Sequence, residues 1–138
     1  MNKIIIVFVV SLFCPLLANA GTIVVAADHS DLASLSKSEV RQLYMGNTNN
    51  AGGYKVKLLD MPEGSTLRKS FYSRVAGKNE SQLKSYWARM IFTGRGTPPR
   101  QVGGPMEMVR SLKADPHALG YMDEGDLQPG VKVLLRLP

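Results

Sequence analysis

The run Thr22-Ile23-Val24-Val25-Ala26-Ala27 is nearly continuous in apolar residues and rich in β-branched ones. That is the pattern of a strand buried on both faces in a parallel sheet, and such a strand must be covered above and below. The chain after it supplies the cover. Ser36-Lys37-Ser38-Glu39 forms a capping box, with Leu35 and Val40 placed as a hydrophobic staple, and predicts a helix to about Met45 that buries Val40, Leu43 and Tyr44 and stops at Gly46. A polar turn over Asn47 to Gly53 then leads to a strand at Lys55 to Leu59. Strand, helix, strand, helix argues an α/β layer architecture.

The second helix carries the most informative chemistry. It follows a loop broken by Pro62 and Gly64, has Ser65 as N-cap, buries Leu67, Phe71 and Val75, and stops at Gly77. Arg68 falls at the third helical position, where a capping box prefers Glu or Gln, and Lys69 follows. Positive charge there opposes the helix dipole and costs about 0.3–1 kcal/mol per exposed charge. A bound anion reverses that cost: the free amides of the first turn, the Ser65 and Thr66 hydroxyls and the Arg68 guanidinium are donors suited to phosphate, sulfate or a carboxylate. The alternative is that Glu63 or Asp60 supplies the compensating charge and the turn binds nothing.

Further along, a helix opening near Ser81 carries the stripe Leu83, Trp87, Met90 and Ile91, with Trp87 assigned to packing. The loop Thr93 to Arg100 is not a phosphate-binding P-loop, because the Gly-Lys-Ser/Thr ending is absent; it exposes Arg95 and Arg100. Gly103 and Gly104 precede a helix with Pro105 at its first position and Met106, Val109 and Leu112 inward, and two bare glycines there permit a second anion contact. A short strand at Ala118 to Met122, an acidic loop at Asp123, Glu124 and Asp126, and an alternating strand of Val131, Val133, Leu135 and Leu137 complete the chain. The expected sheet has about four strands, with helices on both faces.

Residues 1–20 read as a cleavable signal peptide: Lys3, an apolar core from Ile4 to Phe13, and Ala18-Asn19-Ala20 before Gly21. Pro15 and the small residues shorten the apolar run below the roughly 20 residues of a spanning helix. Cys14 follows Phe13 rather than the small residue of a lipobox and is signal-peptide filling. The expected product is a single periplasmic domain, residues 21–138, not membrane-spanning, without cysteine, and therefore held by packing alone. Its 16 basic and 11 acidic residues leave +5, which favours anionic partners; export and the lack of a basic run interleaved with aromatics argue against nucleic acid.

Other chemistry is poorly supported. Asp28-His29-Ser30 leave a strand in different directions and cannot hydrogen-bond in series as a triad. Ser65 lacks a Gly-x-Ser-x-Gly elbow, and no Cys/His metal spacing occurs. Met106 and Met108, with His29 or His117, hint at copper, but they point to different helix faces. The expectation is no catalytic residue, no metal and no cofactor.

Four stretches resemble the phosphate-binding, PstS-like branch of the type II periplasmic binding proteins: Leu35 to Gly46, Gly64 to Phe71, Tyr86 to Gly96 and Ala118 to Tyr121, in the family's order. The resemblance implies one α/β lobe with a mixed, mainly parallel sheet, a cleft-facing oxyanion site at helix N-termini, and a link to ABC-type phosphate uptake or sensing. The family's Ser/Thr loop matches Gly64, Ser65 and Thr66, with Arg68 close behind; the usual Ser-Gly-Thr order is Gly-Ser-Thr here. The other lobe has no counterpart, so the chain offers half a site, and a homodimer, a permease or another envelope protein would supply the missing wall. Two readings follow: a non-enzymatic binder of phosphate or a similar oxyanion, and a protein-interaction scaffold of the envelope in which Arg95 or Arg100 matters more than Ser65.

Overall fold

The computed structural model describes residues 21–138; the predicted signal peptide and Cys14 lie outside the described residues. The strands and helices are β1 (Thr22–Ala27), α1 (Lys37–Tyr44), β2 (Asn50–Ala51), β3 (Tyr54–Lys55), β4 (Lys57–Asp60), α2 (Thr66–Ala76), α3 (Glu80–Phe92), β5 (Arg100–Gln101), α4 (Pro105–Ala114), β6 (Ala118–Asp123) and β7 (Val131–Leu137). A single 3-10 turn at Glu124–Asp126 joins β6 to the last loop.

Five strands form the main sheet in the order β5-β4-β6-β1-β7. β4 runs parallel to β5 and β6, whereas β1 is antiparallel to both β6 and β7. Four strands therefore point one way and β1 the other. The expectation of full burial for β1 holds, since all six residues are buried, but its ladders are antiparallel. Burial depends on what covers the two faces, and strand direction does not enter that pattern.

Helices lie on both faces, and one strand shows it. Gly120 and Tyr121 are adjacent on β6 and so face opposite sides. A Cβ on Gly120 would lie 2.4 Å from Met108 Sδ of α4, so glycine admits that helix to the sheet. On the other side the Tyr121 ring stacks on Phe71 of α2 at 3.8 Å between centroids, with Tyr44 of α1 edge-on to both. Among the described residues the core and the main sheet span residues 22–137.

The local signals were obeyed. Ser36 and Glu39 form the reciprocal capping box, and Ser65 and Pro105 open their helices where expected. Gly77 closes α2 in the left-handed conformation. Other details differ from expectation for tertiary reasons. The polar turn contains β2, which pairs with β3, so the predicted strand at Lys55 to Leu59 is divided between β3 and β4. The loop ending at Arg100 contributes the two residues of β5, the fifth strand. β7 does not alternate: a bulge opposite Val24 and Val25 buries Leu134 and leaves Val133 and Leu135 only partly covered. On α4, Met108 rather than Met106 turns inward to fill the space at Gly120, and Met106 is exposed. On α3, Leu83 and Trp87 are buried and Met90 is partly covered, but Ile91 is exposed.

Candidate anion site

β4 and β5 are parallel neighbours, with Asp60 opposite Gln101, so the loops leaving them emerge side by side at the carboxyl edge of the sheet. One loop runs into α2 through Gly64 and Ser65, and the other into α4 through Gly103 and Gly104. Val102 N–H donates to Asp60 O at 2.9 Å, and Glu63 N–H donates to Gln101 Oε1 at 3.3 Å, tying the loops together. The two sequence-predicted anion contacts thus belong to one surface. Open α/β sheets bind ligands outside the carboxyl ends of their strands, where helix N-termini converge.

Ser65 accepts from Arg68 N–H at 3.3 Å through its Oγ, which leaves its hydroxyl proton free to donate. Gly64 has φ +85°, a conformation that strains residues with a Cβ. Gly64, Thr66 and Gly103 are exposed, and Ser65 and Gly104 are half-buried, so the loop surface is open to a solute.

One amide of each loop already holds a carboxylate. Gly64 N–H donates to Glu80 Oε1 at 3.0 Å, and Gly103 N–H donates to Glu107 Oε2 at 2.5 Å. Glu107 sits in the first turn of α4, whereas Glu80 reaches across from the start of α3. Neither glutamate stood out as a site residue in the sequence. The signal was an acidic residue in the first helical turn, which ordinarily answers a helix's own dipole.

Arg68 is placed inward rather than toward the loops. Its Nε donates to Asp60 Oδ2 at 3.2 Å, and its guanidinium lies 5.1 Å from the centre of the Tyr72 ring. Asp60, not Glu63, is the compensating charge. The Asp60 carboxylate also accepts from Tyr72 OH at 2.9 Å and from Tyr121 OH and Met61 N–H at 2.5 and 2.9 Å. Among the described residues no other side chain is hydrogen-bonded to the guanidinium. Burial lowers the Arg68 pKa, but the charge and hydrogen bond of Asp60 outweigh it, and the net shift is upward. Burial, then the Asp60 charge, pushes the Tyr44, Tyr72 and Tyr121 phenols well above their ordinary values. The fixed positive charge at α2 is therefore neutralised by Asp60, and the Ser65 and Thr66 hydroxyls remain as neutral donors at the loop.

The other sequence candidates lie elsewhere. Arg100 lines a groove of about 580 Å³ with Lys57 and Asp115, at the amino ends of the parallel strands. Arg95 lines a separate groove with Asn47 and Trp87, whose Nε1 is buried without a partner among the described residues. His29 and His117 share a cavity of about 150 Å³ with Tyr54, away from both methionines, and no group of three or more metal-binding side chains occurs among the described residues. Ser30 accepts from Leu32 N–H, and its carbonyl accepts from Lys132, so it terminates β1 as a turn. No helix of the described residues is long and apolar enough to cross a membrane.

Comparison with solved structures shows that the fold is that of a single PstS-like lobe. An ABC-type phosphate transport receptor from Vibrio cholerae superimposes with a TM-score of 0.67 at 17% identity, over 83% of this chain and 45% of that one. A protein described as a phosphate ABC transporter substrate-binding protein, with bound phosphate, from Clostridium perfringens gives 0.67 at 14% identity, over 83% and 44%. PstS from Borrelia burgdorferi gives 0.62 at 12% identity, over 83% and 46%. The chain spans less than half the length of each, and at these identities the likeness is one of fold. No protein-family model and no curated protein matches the chain.

Proposed function

We propose that this protein is a non-enzymatic, periplasmic binder of a small oxyanion, phosphate foremost, held by Gly64, Ser65, Thr66, Gly103 and Gly104. The observation that carries this reading is the convergence of two helix-opening loops at one edge of the sheet, each with an amide that already holds a carboxylate. Sites that accept a carboxylate oxygen suit a phosphate oxygen as well. Arg68, paired with the buried Asp60, is left to a structural role at the start of α2 rather than to contact with the anion. The similar folds belong to phosphate receptors of ABC transport, which supports a role in uptake or sensing.

One lobe leaves the ligand wet on its far side, so the chain alone binds in the millimolar range, about −4 kcal/mol. A second copy, a permease or another envelope protein closes the site and strengthens its hydrogen bonds by excluding water. Titration calorimetry of residues 21–138 with phosphate gives a saturable isotherm, weakened severalfold by Ser65→Ala. Absence of heat up to tens of millimolar phosphate contradicts the reading.

One observation favours the second role, docking within an envelope assembly. Phe92 is 92% exposed and Ile91 55% exposed at the end of α3, next to the Arg95 loop. If that surface docks, Phe92→Ser abolishes co-purification of an envelope protein and leaves phosphate binding intact; unchanged co-purification removes this role.

A further inference from the structure

We propose that the end of α3 docks on an anionic lipid bilayer, with Ile91 and Phe92 entering the headgroup boundary and Lys84, Arg89 and Arg95 pairing with lipid phosphates. The inference rests on the Phe92 surface being a docking surface, as in the second role above, and names a lipid surface rather than a protein as what covers it.

α3 carries more apolar surface than the core uses. Leu83 and Trp87 are its buried stripe. Ala88, Ile91 and Phe92, spaced three and four apart and so on one face, are all exposed, Phe92 almost completely. The other exposed large apolar side chains among the described residues, Tyr54, Met106 and Leu127, stand singly, which is ordinary for a protein surface. The edge is also held firmly. Thr93 Oγ1 donates to Arg89 O at 2.8 Å, and the Gly94 and Arg95 N–H groups donate to Ile91 O and Met90 O at 3.1 and 2.9 Å, so the chain turns back and sets Arg95 beside the last turn.

Charge identifies the partner. Between Glu80 and Glu107 the chain carries Lys84, Arg89, Arg95 and Arg100 and no acidic residue. Lys84, Arg89 and Arg95 are exposed, and none forms an ion pair among the described residues. The grooves that Arg95 lines, one with Trp87 and Asn47 and one with Arg89 and Tyr86, hold no acidic side chain. Cations flanking an apolar edge fit an anionic bilayer: the apolar side chains enter the headgroup boundary, and the charged groups stay level with the phosphates. A protein partner needs carboxylates placed to match each cation and a pocket for a ring that is 92% exposed. Lipids move laterally to the cations and need no pocket. No described helix is long and apolar enough to cross the bilayer, so the contact is with its surface.

Vesicle sedimentation tests this on residues 21–138, which contain the core and main sheet and omit the apolar run Ile4 to Phe13 that would itself enter lipid. The vesicles are phosphatidylcholine alone, and phosphatidylcholine mixed equally with phosphatidylglycerol. Wild type sediments with the mixed vesicles and not with phosphatidylcholine alone, and added salt releases it. Phe92→Ser and the double variant Arg89→Gln/Arg95→Gln each weaken binding at least about tenfold. Arg110→Gln/Lys113→Gln, which removes equal charge from α4, changes it by less than about twofold. All the substituted side chains are exposed, so the fold is kept in every variant. Equal loss in the two double variants makes the attraction one of net charge and overturns the proposal, as does undiminished binding by Phe92→Ser. Failure of wild type to sediment overturns it too: if Phe92→Ser still loses an envelope protein on co-purification, the docking surface stands with a protein on it, and if not, the docking reading falls as well.

Discussion

Asp60→Ala destabilises the protein by about 3–5 kcal/mol, the range for breaking a buried ion pair by removing one partner. Asp60 is 1% exposed and accepts from Arg68, Tyr72 and Tyr121 as well as the Met61 amide. Truncation leaves Arg68, a residue only 8% exposed, without its counter-charge and strands hydroxyl donors in the core. Guanidinium denaturation measures the loss. The double variant Asp60→Ala/Arg68→Met costs less than the sum of the single changes, because the second removes the charge that the first orphaned. A loss below about 1 kcal/mol for Asp60→Ala would show that water reaches the pair and that the network is not the anchor described here.

The second large effect is alkaline. Tyr44, Tyr72 and Tyr121 are all raised by burial, with Asp60 adding to each. In the unfolded chain a tyrosine ionises near about 10. The folded state therefore binds more protons above that pH, and stability falls as pH rises. The contribution is fully present below about pH 10 and is lost between the unfolded and the raised folded values. Three phenols together give a limiting slope of about 4 kcal/mol per pH unit, at 1.36 kcal/mol for each proton. Urea unfolding at a series of alkaline pH values reads that slope, and tyrosinate absorbance from these three residues appears in the same cooperative step as unfolding. Titration of all three while the protein stays folded would contradict their burial.

These effects converge on a point about the fold. The buried pair and its tyrosines place a neutralised charge at the end of β4, where the chain leaves for α2. Loss of Asp60 therefore acts on stability first, whereas the proposed anion contact at Ser65 lies in the loop that opens α2.

Much of the architecture was legible because its causes are local. The β-branched run at Thr22–Ala27, the Ser36 and Glu39 box, the Ser65 cap, Gly77 and Pro105 each act within a turn or a strand, and each element formed there. What escaped depends on partners distant in sequence. β5 exists only because β4 lies beside it, and the β7 bulge is a matter of register with β1. The inward turn of Met108 follows from a glycine on another element. The site divided in the same way: the two loops were found from their glycines and hydroxyls, but not their adjacency, which the sheet order creates. The sequence leaves Arg68 either to an anion or to Glu63 or Asp60, and only the fold pairs it with Asp60. Glu80 stayed hidden because a first-turn glutamate ordinarily serves its own helix, and nothing local announces a bond sixteen residues back.

The most direct measurement is a two-dimensional amide spectrum of residues 21–138, isotopically labelled and titrated with phosphate. The account predicts saturable shifts concentrated at Gly64, Ser65, Thr66, Gly103 and Gly104, from both loops with one dissociation constant. Shifts confined to the Arg95 or Arg100 grooves, or no shifts at these five residues, would contradict it.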